Sequence, residues 1–538
     1  LTNSLSGTAN LMSQLQQQTT TDRLNPQAVI GVIGAGTMGE GIAQVAAAAG
    51  HPVRLFDLQP GSALKALERM AAGLARQVEK GRMSAEQRDA LLARIQLLDS
   101  LQQLAPAQLV IEAVVERLEV KQQLFAELES ICGAEVILAS NTSSISLTAI
   151  GSTLLRPQRL LGMHFFNPAP VMKLVEVISG LETDTQVAES VYRLAESWGK
   201  QVVHAQSTPG FIVNRVARPF YAEALRILQE GGADSATIDA LIRDAGGFRM
   251  GPFELMDLIG QDINYAVSCS VFNAYYQDPR FKPSLIQQQL VDAGLLGRKS
   301  GRGFYDYRPA AEQPLAIQAK PQPAPARISV EGDLGPAQAL LERILAAGIE
   351  VRRVPGEGLE SSGLIRVGSA VLLFCNGELS STRAFDCGEP GLIQFDLALD
   401  YAQAERIALA PADQADASAI TDAVGLFQAA GFAVSLIDDI PGMVVMRTLC
   451  MLANEGFDAV NQQVCSEAAV DIAMQGGVNY PRGPLAWARS LGLRRCLGVL
   501  DNLAAVYGEE RYRASPLLRR QAVAEAVAEQ PKASGEGQ

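Results

Sequence analysis

Two residues twelve positions apart carry the most specific chemical signal in this sequence: His164, in Leu160-Leu-Gly-Met-His-Phe-Phe-Asn167-Pro168, and Glu176, in Lys173-Leu-Val-Glu-Val-Ile178. Histidine is scarce here, with three among 538 residues, and this one lies inside an apolar run. The glutamate interrupts a second apolar run that reads as a strand. Imidazole as a class gains and loses a proton near neutrality, so a histidine oriented by a carboxylate suits the removal of a hydroxyl proton during a reaction. The short Pro-containing connection between the runs lays them side by side and brings the two side chains within hydrogen-bond reach. A structural ion pair uses the same residue types, so the pair alone does not choose between a core contact and a catalytic one.

The glycines upstream shift that balance. Gly34-Ala-Gly36-Thr37-Met38-Gly39 follows an apolar strand at 29–33 and opens an alanine-rich helix that ends near Gly50. A second strand at 53–57 closes on Asp57. In this setting G-x-G-x-x-G has a mechanism: Gly34 permits a tight turn, Gly36 lets backbone approach a pyrophosphate at the helix N-terminus, and Gly39 lets the helix pack on its strand. The loop residues Gly34, Gly36, Thr37, Met38 and Gly39 are the expected cofactor contacts. Asp57 stands where a carboxylate accepts from ribose hydroxyls and repels a 2′-phosphate, so NAD is favoured over NADP.

Positioning these residues takes an alternating α/β framework. Apolar runs at 109–115 and 136–140, with an amphipathic helix at about 117–130 between them, extend the β-α-β unit into a mostly parallel, doubly wound Rossmann-type sheet. Helical patterns from 61 to 98 exceed one crossover and predict a helical hairpin. Glu112 and Glu116 fall at the carboxyl end of the fourth strand, and Ser140-Asn-Thr-Ser-Ser144 follows the fifth, where ligands bind in open α/β sheets. The NAD-binding domain is thus expected at 26–205, after a flexible leader at 1–25.

Beyond Gly199 the pattern changes to long amphipathic helices, giving an all-α domain at 206–308, and a Pro/Ala-rich linker follows at 309–327. The chain then repeats itself. At a constant offset of 232, Gly199, Pro209, Gly210, Val213, Arg215, Glu223, Asp239, Gly251, Pro252 and Gly260 recur as Gly431, Pro441, Gly442, Val445, Arg447, Glu455, Asp471, Gly483, Pro484 and Gly492. This predicts a second helical domain at 431–525 and a flexible tail at 526–538. The stretch 328–430 has strand-like runs but no glycine triplet, and reads as an eroded α/β fragment. Met446 replaces Asn214 in the second copy, and no second histidine accompanies it, so that half should be structural.

Composition excludes several classes. A net charge of −13 opposes a nucleic-acid partner. No run of eighteen apolar residues is present to span a membrane, and the opening residues, polar and without an apolar core flanked by basic residues, do not read as a secretory signal. Seven scattered cysteines without Cys-x-x-Cys argue against a disulfide framework or a zinc site and fit a reducing cytoplasm.

The glycine loop, Ser140–Ser144, the His164 run, Lys173–Ile178, Pro209-Gly-Phe-Ile-Val-Asn-Arg215 and Gly294-Leu-Leu-Gly-Arg-Lys-Ser-Gly-Arg-Gly-Phe-Tyr305 together resemble the L-3-hydroxyacyl-CoA dehydrogenase family, in the expected order over residues 28–308. The longer architecture resembles the duplicated forms of phenylacetate catabolism, which act on 3-hydroxyadipyl thioesters; 3-hydroxybutyryl-CoA is the other expected substrate. The resemblance implies NAD, an acyl-CoA thioester substrate, no metal, and these roles: His164 the base, Glu176 its orienting acid, Ser143 and Asn214 at the reacting oxygen, Glu116, Lys121, Asn167 and Lys299 near the nicotinamide half, and Lys80 on CoA. Gly73 departs from a hydroxyl-bearing position of the family. Short members pair through their helical domains, so the second copy is expected to supply that surface within one chain, with further homo-oligomers open. The competing reading is an idle NAD- or CoA-binding structural protein, which would not need the whole set His164, Glu176, Ser143 and Asn214.

Overall fold

The structure is a computed structural model and describes residues 24–25, 27–355 and 363–529. The expected leader lies almost wholly outside the described residues, as does most of the expected tail. The described chain forms two compact units: one of residues up to Val213 together with Gln463–Val478, the other of Asn214–Gln462 and Asn479 onward.

In the first unit, eight strands form one sheet: β1 (Ile30–Ile33), β2 (Val53–Phe56), β3 (Ile95–Leu97), β4 (Leu109–Glu112), β5 (Ile137–Ser140), β6 (Leu160–Phe165), β7 (Leu174–Ser179) and β8 (Gln201–Gln206), in the order β3-β2-β1-β4-β5-β6-β7-β8. The strands are short apolar runs, mostly buried on both faces, as a sheet covered by helices requires. All neighbours are parallel except β6 and β7, whose antiparallel register sets His164 directly opposite Glu176. The hairpin is present as the helices Ser62–Glu79 and Ala85–Leu92, the second opened by a Ser84–Gln87 capping box. Its inner stripe, Ala63, Ala66, Met70, Leu74 and Leu91, joins the same core as Ile30 and Val32.

The helix Glu467–Val478, expected within the second helical copy, packs on this first sheet. Gly476 and Gly477 let it come close: a Cβ on Gly477 would stand 2.7 Å from Leu174. The amide of Gln206 donates to Val464 O at 2.8 Å, tying β8 to the segment before that helix.

The second unit is built on a seven-stranded sheet in the order β10-β9-β11-β12-β13-β14-β15, with β9 (Arg327–Glu331), β10 (Glu350–Val354), β11 (Leu364–Val367), β12 (Ala370–Phe374), β13 (Leu392–Phe395), β14 (Arg406–Pro411) and β15 (Ala433–Leu436). The offset of 232 carries the first residues of β6, β7 and β8 onto those of β13, β14 and β15. The run of parallel, antiparallel and parallel pairings from β5 to β8 recurs from β12 to β15. The repeat therefore extends upstream of the helices into the eroded sheet. Here the first copy's helix Ser235–Asp244 packs beside β14, with Arg406 Nε donating to Asp244 at 3.2 Å and Leu399 N to Ala245 O at 2.9 Å.

The two helical copies meet inside this unit through exchanged charges. Arg215 Nε lies 2.5 Å from Glu455, and Arg447 Nε lies 2.8 Å from Glu223. Because Arg447 and Glu455 are the repeat partners of Arg215 and Glu223, each copy gives the other what it receives, the signature of a two-fold interface fused into one chain. Arg280 adds bonds to Glu455 and Asp458, and Arg511 to Glu223. Burial alone would raise the Glu223 carboxyl, but Arg511 and Arg447 overcome it and pull it down to about 2. The expected linker is an extended strap bonded along its course: Ala319 N donates to Val434 O, Gln322 N to Gln428, and Ser435 Oγ to Ile317 O.

Candidate active site

The glycine turn has the geometry a pyrophosphate needs. Gly34 takes φ +95°, and a Cβ there would stand 2.5 Å from the Ala113 carbonyl oxygen, while one on Gly39 would overlap the Gly34 carbonyl oxygen. Gly36 differs: nothing lies within 4 Å of its would-be Cβ, so its bare face is open to a ligand at the N-terminus of the helix Thr37–Ala48. Asp57 follows β2, accepts from Ala35 N at 2.6 Å and Gln59 N at 2.8 Å, and holds a carboxylate at the end of the turn. Arg69 of the hairpin donates to Ala35 O. Thr37 is exposed and Met38 half-buried. These residues fit a dinucleotide: a cradle that only glycine leaves free, a helix N-terminus for the phosphates and a carboxylate for a ribose.

His164 and Glu176 meet. Nδ1 of His164 lies 2.6 Å from one carboxylate oxygen of Glu176, and the other oxygen accepts the amides of Ile212 and Val213, both at 3.1 Å, at the turn into the next helix. Glu176 is fully buried and His164 is 6% exposed. Phe166 and Phe211 flank the ring, with centroids 4.6 and 5.8 Å away. An ionised Glu176 makes Nδ1 the protonated nitrogen and leaves Nε2 free to take a proton. The sequence does not show that helix-start amides pin this carboxylate, although Pro209-Gly210 marks the turn that creates them.

Beyond β4 and β5 two carboxylates divide the work. Glu112, fully buried, accepts from Lys121 Nζ at 2.6 Å, Ser140 Oγ at 2.7 Å and Val114 N at 2.7 Å. Glu116 accepts from Thr142 Oγ1, the amide and hydroxyl of Ser143, and the amide and hydroxyl of Ser144. Burial pushes Glu116 up, yet Lys121 and the Thr142 and Ser143 bonds outweigh it, so its carboxyl sits below the ordinary range. Glu116, Lys121 and Ser143 thus form one cluster, with Glu116 shaping the serine loop.

Other predicted residues stand apart from these bonds. Asn167 and Lys80 are exposed, Lys80 at the C-terminal end of the hairpin's first helix, and a Cβ on Gly73 would meet nothing. In the second unit, Lys299 pairs with Asp262 at 2.5 Å, and Asn214 is half-buried. Among the described residues no group of histidine, cysteine and acidic side chains could hold a metal, and no helix is long and apolar enough to cross a membrane.

The geometry agrees with what the chain is similar to. The model of the 3-hydroxyacyl-CoA dehydrogenase NAD-binding domain matches residues 29–208, and that of the C-terminal domain matches twice, at 210–307 and 442–535. The 3-hydroxybutyryl-CoA dehydrogenase reduced Rossmann-fold domain matches 372–441. The 3-hydroxyadipyl-CoA dehydrogenase of Escherichia coli is 45% identical over 92% of this chain and 98% of its own length. A probable 3-hydroxybutyryl-CoA dehydrogenase of Bacillus subtilis is 44% identical over 51% of this chain and 96% of its own. The crystal structure of an Escherichia coli 3-hydroxybutyryl-CoA dehydrogenase superposes with a TM-score of 0.85 at 43% identity, covering 94% of this chain and all of that one. The duplicated helices, the reduced second sheet and the glycine turn with its His–Glu pair therefore have one explanation: the chain belongs to the 3-hydroxyacyl-CoA dehydrogenase family.

Proposed function

We propose that this enzyme oxidises the 3-hydroxyl of an L-3-hydroxyacyl-CoA to the 3-oxo thioester with His164 as the base. The carrying observation is the 2.6 Å contact between His164 Nδ1 and Glu176, with Glu176 itself fixed by two backbone amides. NAD, when bound, accepts the hydride from C3. His164 Nε2 takes the hydroxyl proton as the carbonyl forms, and the ring becomes imidazolium. Glu176 is the positioning residue: it fixes the tautomer and steadies the charge at the moment it develops. Ser143, held by Glu116, and Asn214 are assigned to the reacting oxygen. Gly34, Gly36, Thr37, Met38, Gly39 and Asp57 bind the adenosine and pyrophosphate side; Glu116, Lys121, Asn167 and Lys299 belong with the nicotinamide side, and Lys80 with CoA.

The printed name of the Escherichia coli relative supports a six-carbon dicarboxylic acyl group. Seven free cysteines support a cytoplasmic setting. The exchanged Arg–Glu pairs support the reading that one chain contains the pairing of two short subunits, with larger homo-oligomers compatible with it. The deciding experiment is NADH formation against a panel of L-3-hydroxyacyl-CoA esters. Turnover is expected with NAD and absent for the D-isomers; NAD binding without oxidation of any ester would establish the idle structural reading instead.

A further inference from the structure

Six arginines are buried among the described residues, and five of them have a carboxylate close by: Arg215 and Glu455 at 2.5 Å, Arg280 and Asp458 at 2.8 Å, Arg383 and Glu378 at 3.8 Å, Arg447 and Glu223 at 2.8 Å, Arg511 and Glu223 at 2.9 Å. The sixth, Arg218, is 6% exposed and has none. Its Nε donates to the Asn214 carbonyl oxygen at 2.8 Å and its Nη1 to Ser268 Oγ at 3.1 Å, while the Ser268 hydroxyl donates to Asn264 O. The guanidinium carbon lies 5.0 Å from the centre of the Tyr221 ring. Nη2 makes no hydrogen bond among the described residues. Burial draws this group below the usual arginine range, and only the Tyr221 and Tyr480 hydroxyls oppose it. A buried cation left without an anion is costly, so a residue kept this way is suited to an anion that arrives with a ligand.

Place in the chain says which ligand. Arg218 is four residues beyond Asn214: it opens the helix Arg218–Gln229 just after the short helix Val213–Val216 ends, and its Nε bonds to Asn214's own carbonyl. In a six-carbon acyl group the terminal carboxylate lies three C–C bonds past C3, roughly 4–5 Å with bonds of about 1.5 Å. We propose that Arg218 is the anchor for a terminal carboxylate on the acyl chain, which makes this a site for dicarboxylic 3-hydroxyacyl thioesters. The inference rests on the reading of Asn214 as a contact of the reacting oxygen. The planar fork offers two parallel N–H donors, the geometry a carboxylate accepts best. In the second copy the repeat partner of Arg218 is Cys450 and that of Asn214 is Met446, both fully buried, so the idle half has filled the same place with sulfur.

The test compares 3-hydroxyadipyl-CoA with 3-hydroxyhexanoyl-CoA, esters of equal chain length that share the CoA moiety. The full-length enzyme is expected to favour the dicarboxylic ester in kcat/KM by at least about tenfold, because a buried polar site rejects an analogue lacking its partner group. Arg218→Met should lower the ratio of the two kcat/KM values by about 100-fold, whatever loss both esters share, and Arg218→Lys should lower it less. A native ratio at or below one overturns the proposal, and so does an unchanged ratio in Arg218→Met, which would mark a purely structural arginine or a contact to CoA. If Arg218→Met does not fold, the native ratio and Arg218→Lys decide. Absence of NADH with both esters in the native enzyme is a different failure, that of the dehydrogenase reading itself.

Discussion

The two sheets answer the same structural question with different residues. At the register position of His164 the second sheet has Asp396, and at that of Glu176 it has Ala408. In the first sheet the longer glutamate on β7 reaches the amides of Ile212 and Val213 and keeps an imidazole in front of it. In the second, Asp396 follows β13 and itself accepts from the corresponding amides of Val444 and Val445, and from Met446, at 2.7–3.0 Å. Both halves therefore neutralise the start of the helix with a buried carboxylate, and only one leaves room for a proton acceptor. The framework is common, and the chemistry is a matter of which strand carries the acid.

The largest effect comes from exchanging the fates of the two matched positions. His164→Gln should cut kcat by about 10³-fold or more while NADH binding, followed by its fluorescence, survives. Asp396→Ala should leave kcat within about twofold but lower the unfolding temperature, because removing the acceptor orphans buried amides at about 1–3 kcal/mol each. A kcat loss in Asp396→Ala comparable to that in His164→Gln would mean that the second half takes part in turnover. Next in size is Glu176→Gln, for which we expect kcat to fall about 10²-fold or more with a small change in KM, since its bond matters most once the imidazole is charged. A KM effect without a kcat effect would place Glu176 in binding rather than proton transfer.

How much of this the sequence could reveal follows from the range of each interaction. The glycine turn, Asp57 and the His164–Glu176 pair depend on local strand and turn chemistry, and their residues are legible directly. The duplication is legible because an ungapped offset survives in turn residues such as Gly210 and Gly442, which hold φ of +78° and +76°. Which sheet a helix covers is long-range information. Glu467–Val478 and Ser235–Asp244 begin at matched positions of the repeat, and nothing in either sequence says that the second-copy helix packs with the first sheet and the first-copy helix with the second. That Glu116 gathers the serine loop around its carboxylate shows only in the fold, and Arg218 reads as one more helical arginine until its surroundings show no acid.

The fused interface sharpens the comparison from its other side, since there the two copies are equivalent. Arg215→Met and Arg447→Met should each cost about 1.5–3 kcal/mol in urea unfolding, because each removes one of the two guanidinium groups that hold a buried carboxylate. Similar losses from the two variants support a quasi-symmetric pairing, and a loss from one alone would show that the copies have diverged in load. The pH dependence has a definite sign. Glu223 is held at about 2 against an ordinary 4.5, so its contribution is complete above about 4.5 and is lost as pH falls through about 2. The stability gap between the native chain and Glu223→Gln should therefore shrink over that interval. A constant gap would show that packing, not charge, separates them.

The mildest prediction tests whether the second sheet retains any nucleotide function. Among the described residues its strands open on no glycine turn like Gly34–Gly39, in which Gly36 alone leaves backbone bare to a pyrophosphate. Titration should accordingly give one NAD per chain. Asp57→Ala removes the carboxylate bonded to Ala35 N and should weaken NAD about tenfold, a loss of about 1.4 kcal/mol, while narrowing the preference over NADP. Calorimetry reads both numbers at once: two sites per chain, or an unchanged cofactor preference in Asp57→Ala, would return the reduced half to the list of working nucleotide domains.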